Sequence, residues 1–151
     1  VKTLHLVYWE ENGEATLDTV LAIDPGRAKC GIAVVGRDGA VSHRAIVAPE
    51  HLVEETRRLI ALYAPTVVLV GAGTGSKPLR GALEAAALGV SMIAVDESHT
   101  SEAARARFVA ENPPRGWQRL LPRSLRTPDR PYDDYVAILL AERWWAQSSQ
   151  K

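Results

Sequence analysis

Thr19-Val20-Leu21-Ala22-Ile23-Asp24-Pro25-Gly26-Arg27-Ala28-Lys29-Cys30-Gly31-Ile32-Ala33-Val34-Val35-Gly36-Arg37-Asp38-Gly39 is the stretch from which the fold can be read. Thr19–Ile23 is a short apolar run closed by Asp24-Pro25-Gly26, and Pro-Gly marks a turn. Gly31–Val35 is a second β-rich run, closed by Arg37-Asp38-Gly39. Asp-Gly between two such runs signals a hairpin, so Val41–Ala48 reads as a third strand. Three strands joined by short turns form an antiparallel meander.

After Glu50 the period changes. Leu52, Val53, Thr56, Leu59, Ile60 and Tyr63 recur at helical spacing, with Pro49 near the start and Pro65 as the stop. Thr66–Val70 is a β-branched run of the kind found in buried parallel strands. Ser76–Leu88 reads as a helix ending at Gly89, and Met92–Val95 as another buried strand. Ser98-His99-Thr100-Ser101 offers N-caps for a helix through Val109, which Asn112-Pro113-Pro114 ends. Arg115 to Arg130 reads as a loop, and a last helix follows Pro131 to about Ala146. The order β-β-β-α-β-α-β-α predicts an α/β fold: a mixed five-stranded sheet, an antiparallel meander plus parallel strands, with helices on both faces. Residues 1–20 read as an N-terminal extension or extra edge strand, 21–147 as one domain and 148–151 as a tail.

The bulk properties set bounds on function. A chain of 151 residues with 46% hydrophobic and 24% charged residues is an ordinary globular composition for one domain. No apolar run reaches the ~18 residues of a membrane helix, and no secretory signal is visible. Cys30 is the only cysteine, which excludes an internal disulfide and a cysteine-rich zinc site, and a reducing cytoplasm fits. Net charge is zero, but it is unevenly spread. Between Ser98 and Pro131, Arg105, Arg107, Arg115, Arg119, Arg123, Arg126 and Arg130 outnumber Glu102, Glu111 and Asp129. Such an arginine-rich third is either a footprint for phosphates or a solvated surface.

Three acidic positions stand where apolar elements end: Asp24, Glu97, and the pair Asp133 and Asp134 after Pro131. Sites in open sheets gather at the carboxyl ends of strands. Carboxylates brought together repel one another, and a hard cation such as Mg²⁺ or Mn²⁺ relieves that repulsion. Two such ions can activate water and stabilise the leaving oxygen of a phosphodiester. Singly, each acid has a plainer role: a turn residue, a helix N-terminal charge, or acids of a first helical turn.

The surrounding residues add a resemblance. Leu21 to Val34 resembles the first strand and hairpin of the RuvC and YqgF nucleases, families of the RNase H-like superfamily. Val95-Asp96-Glu97-Ser98-His99-Thr100-Ser101 is similar to the YqgF segment that supplies a second carboxylate, and Asp133-Asp134-Tyr135-Val136-Ala137-Ile138-Leu139-Leu140 to the helix that supplies a third. The resemblance spans Leu21 to Trp144. It implies Asp24, Glu97 and Asp133 as catalytic metal ligands, with Asp134 as a further ligand through water, and Mg²⁺ or Mn²⁺, two ions, as cofactor. It implies hydrolysis of branched DNA or of precursor ribosomal RNA by a monomer or homodimer, with no membrane partner. Where YqgF proteins carry a Gly-x-Pro loop this chain has Gly71-Ala72-Gly73-Thr74-Gly75-Ser76-Lys77, and Ser98-His99 replaces Arg-Leu.

That glycine-rich segment is not a P-loop, because Lys77 follows Ser76 and precedes Pro78. Thr74, Ser76 and Lys77 are candidates for contact with a nucleic-acid backbone, as are Lys29, Arg115, Arg119, Arg123 and Arg126; a plain strand-to-helix turn is the simpler role for the segment. Trp117, between Arg115 and Arg119, is placed to stack on an unpaired base, while Trp144 and Trp145 cap the core. His99 reads as a surface residue at a helix start and Cys30 as a small buried one. Two other functional classes fit parts of the pattern. A non-catalytic nucleic-acid-binding module would keep the acids for folding. An actin-like or sugar-kinase phosphotransferase would share the Asp24 hairpin but needs two such domains.

Overall fold

A computed structural model describes residues 18–73, 75–122, 125, 126, 128 and 130–150. The expected extension over 1–20 therefore lies outside the described residues except for Asp18, Thr19 and Val20. Five strands, β1 Thr19–Asp24, β2 Cys30–Gly36, β3 Val41–Val47, β4 Val67–Gly71 and β5 Met92–Val95, form one sheet in the order β3-β2-β1-β4-β5. β1 pairs antiparallel with β2 and β2 with β3, whereas β4 runs parallel to both β1 and β5. This is the RNase H-like arrangement. The β2–β3 turn forms as the Asp-Gly signal requires: Asp38 Oδ1 accepts from the Ala40 amide at 3.0 Å, and Gly39 takes φ 85°.

The central strands are apolar on both sides. Val20, Ala22, Ala33, Val35, Val67 and Leu69 face helix α4, Asp133–Ser148, which contributes Ala137, Ile138, Leu140, Ala141 and Trp145. Leu21, Ile23, Ile32, Val34, Val68 and Val70 face the opposite way, against Leu52 and Leu59 of α1, Leu52–Tyr63, and Leu83 of α2, Lys77–Ala85. Helix α3, Thr100–Glu111, packs Ala104, Phe108 and Val109 on Tyr135 and Val136, so α4 is buried on two sides. Alanine pairs on both partners, Ala22 with Ala33 across the sheet and Ala137 with Ala141 on the helix, let α4 lie close. Trp145 caps this layer and donates from Nε1 to the Val35 carbonyl at 3.2 Å.

Some elements differ from expectation. β5 is half-exposed rather than buried, because among the described residues it is an edge strand with a neighbour on one side only. α2 stops at Ala85, short of Leu88, where Ala87 turns to φ 48° and Gly89 to φ 77°. The Arg115–Arg130 loop contains a 3-10 turn over Gly116–Leu120. None of Ser98–Ser101 caps α3 with its side chain; His99 occupies the cap position at φ 61°, and Thr100 is buried where its Oγ1 accepts from Arg143 at 2.8 Å.

Candidate functional site

Sheet register assembles the site. Asp24 ends β1 opposite Gly31, the second residue of β2. A Cβ at Gly31 would run into the backbone carbonyl of Asp133 and come within 2.7 Å of the Asp134 nitrogen. Glycine at that position therefore admits the first turn of α4 and sets Asp133 beside Asp24. On the other flank, Ile23 pairs with Val70 of β4, so Gly71 lies next to Asp24. Glu97 follows β5, and β4 separates it from β1. Its carboxylate crosses that gap by lying over the backbone of Gly71 and Gly73, where a Cβ on either residue would collide with it.

The electrostatics report the same convergence. The Asp24 carboxyl is pushed from 3.8 up to about 7, chiefly by burial, then by the charges of Glu97 and Asp133 and by the Glu97 carboxyl facing it. Glu97 Oε2 is buried without a hydrogen-bond partner. An orphaned carboxylate oxygen is costly unless a cation or donor meets it. The donor set is all hard oxygen, which suits Mg²⁺ or Mn²⁺ and no soft metal. Among the described residues, however, no three His, Cys, Asp or Glu side chains lie close enough to enclose an ion as they stand. Asp24 nonetheless stands within electrostatic reach of both Glu97 and Asp133.

Asp134 is placed differently. Its Oδ2 accepts from Arg44 Nε of β3 at 2.8 Å, and the same guanidinium lies 4.1 Å over the Tyr135 ring. Consecutive helical residues diverge by about 100°, so the pair holds Asp134 on the β3 side of the α4 first turn. The structure gives Asp134 a cationic partner of its own where the sequence suggested a water-bridged metal ligand. Arg44 carries no motif signal; only the fold brings β3 under α4.

The basic candidates divide. Lys29, Lys77, Arg115 and Arg119 are exposed, whereas Thr74 and Arg123 lie outside the described residues. Ser76, expected as a contact to a nucleic-acid backbone, is 1% exposed: as the residue before α2 it turns inward. Arg126 is half-buried and donates from Nε to the Leu121 carbonyl at 2.9 Å, so part of its guanidinium braces the loop. Gly71 and Gly73 make room for Glu97, whereas Gly75 lies against Arg27.

Neither a protein-family model nor a curated protein matches this sequence. Solved structures do share the fold. The chain is similar to Thermus thermophilus RuvC in complex with Holliday junction substrate, with TM-score 0.57 and 19% identity over 87% of this chain and 96% of that one. A second Thermus thermophilus RuvC structure gives 0.56 and 18% over 86% and 96%. A Fowlpox virus resolvase with substrate Holliday junction DNA gives 0.54 and 11% over 88% and 99%. At these identities the likeness is one of fold.

Proposed function

We propose that this RNase H-like chain is a divalent-metal-dependent nuclease that hydrolyses phosphodiester bonds in structured nucleic acid. The carrying observation is that Glu97 and Asp133 stand near enough to Asp24 for their charges to add to burial in suppressing its acidity. Fold similarity to proteins described with Holliday junctions supports branched DNA as the first substrate to test, with structured precursor RNA beside it.

Asp24, Glu97 and Asp133 would hold the ions, with the orphaned Glu97 Oε2 as a ready oxygen donor. A divalent ion bound there supplies Lewis-acid activation of water and stabilises charge on the departing oxygen. The chain itself does the positioning. Gly31 fixes the α4 first turn against β2, Gly71 and Gly73 seat the Glu97 carboxylate, and Arg44 balances the charge of Asp134. Exposed Lys29 and Lys77 bring positive charge to the turns that follow β1 and β4 and attract the phosphate backbone.

The test is a labelled panel of four-way junction, single-stranded DNA and structured RNA, with Mg²⁺ or Mn²⁺. Wild-type cleavage of a branched or structured member is expected, with Asp24→Asn reducing it at least 1000-fold, roughly 4 kcal/mol of barrier, while binding persists. Undiminished cleavage by Asp24→Asn overturns the assignment. Binding without cleavage under either ion leaves a nucleic-acid-binding module.

A further inference from the structure

The loop between α3 and α4 is built as a braced arm. At its base, Asn112 Nδ2 donates to the Phe108 carbonyl at 2.9 Å and to the Tyr135 hydroxyl at 3.1 Å. Arg130 closes the other end by donating to Asn112 Oδ1 at 2.7 Å, with its guanidinium 5.1 Å from the Phe108 ring. Tyr135 is two residues beyond Asp133, so both ends of the arm are tied to the turn that carries a site carboxylate.

Inside the loop, arginines replace the missing backbone ladder. Arg105 donates to the Arg126 carbonyl at 3.0 Å, Arg119 to that of Pro114 at 3.2 Å and Arg126 to that of Leu121 at 2.9 Å. Backbone carbonyls without secondary structure are satisfied in this way, and the loop is stiffened. What it carries outward is apolar: Trp117 is 70%, Leu120 88% and Leu125 61% exposed. In a 3-10 turn, residues three apart share a face, so Trp117 and Leu120 lie side by side. Exposed Arg115 and Arg119 stand two positions to either side of Trp117 in the chain. A solvent-facing indole on a braced loop, with arginines close by in the chain, is poor core design and a good surface for a planar, phosphate-linked ligand.

We propose that this arm is a stacking platform for an unpaired nucleobase: Trp117, with Leu120 beside it, takes the base, and Arg115 and Arg119 take the adjoining phosphates. This rests on the nucleic-acid substrate proposed above and adds which structural feature of that substrate is read. A protein partner fits less well, because two adjacent exposed apolar side chains fall far short of the roughly 1,000 Å² of a specific protein interface.

Binding is measured in chelator, so cleavage is not the readout, with an oligonucleotide as single strand and as perfect duplex. Trp117→Ala weakens single-strand binding roughly 5- to 100-fold, leaves duplex binding unchanged and does not alter the salt slope. Trp117→Phe recovers most of the loss. Arg115→Ala weakens both forms and lowers the salt slope by about one. Unchanged melting temperature for Trp117→Ala verifies that the fold is intact. Equal loss on strand and duplex, no loss at all, or a changed sedimentation coefficient of the free protein overturns the platform. A wild type that binds neither form overturns the platform, whereas Trp117-dependent binding with no cleavage of the junction and RNA panel in Mg²⁺ or Mn²⁺ overturns the nuclease reading alone.

Discussion

Asp24 is the residue on which charge and stability meet. Its folded pKa, about 7, lies above the 3.8 of an unfolded aspartate. Folded protein therefore binds a proton more tightly than unfolded protein, and stability falls as pH rises from about 4 to 7. Below pH 4 both states are protonated and the effect vanishes. Asn in place of Asp24 mimics the protonated side chain. In chelator at pH 8, Asp24→Asn should gain about 2–4 kcal/mol and roughly 5–15 °C in Tm over wild type, shrinking to nothing by pH 4. Added Mg²⁺ should raise the wild-type Tm and leave the variant unmoved. Calorimetry across that pH range checks both; a variant less stable than wild type at pH 8 would contradict the electrostatic picture. The Asp-Pro-Gly turn marks the end of β1 in the sequence. The suppressed acidity of Asp24 is not legible there, because it comes first from burial and then from Glu97 and Asp133, 73 and 109 positions away in sequence.

Elements place these side chains, and two glycines separate support from function. Gly31 meets backbone, the Asp133 carbonyl, whereas Gly73 meets the far end of a flexible Glu97 side chain. Gly31→Ala must displace the α4 first turn and should cost about 1–3 kcal/mol. Gly73→Ala can be relieved by a rotation of Glu97, so it should leave Tm nearly unchanged yet reduce divalent-ion affinity about tenfold or more. Denaturant melts beside ion titrations separate the two effects. Equal destabilisation by both substitutions would argue against Glu97 being seated on these glycines. The strands and helices themselves were legible because β1, β2 and β4 announce themselves by apolar runs and turn residues. β5 was misread as buried, since four apolar residues look alike at the centre and the edge of a sheet. Sheet order is a long-range property.

Across the whole molecule the arginine excess was legible and its use was not. Composition counts charges; only the tertiary structure shows Arg107 bonded to Glu111 and Glu142, and Arg105, Arg119 and Arg126 bonded to carbonyls. The single thiol carries a different consequence. Cys30 is fully buried at the start of β2, its Sγ 3.6 Å from the Gly26 carbonyl, and burial raises its pKa. An aromatic disulfide reagent can reach it only when the β1–β2 corner comes apart, so labelling is a clock for transient opening there. Its rate, divided by that of the denatured chain, gives the free energy of opening; Mg²⁺ should slow the clock in wild type and leave it running at the same pace in Asp24→Asn.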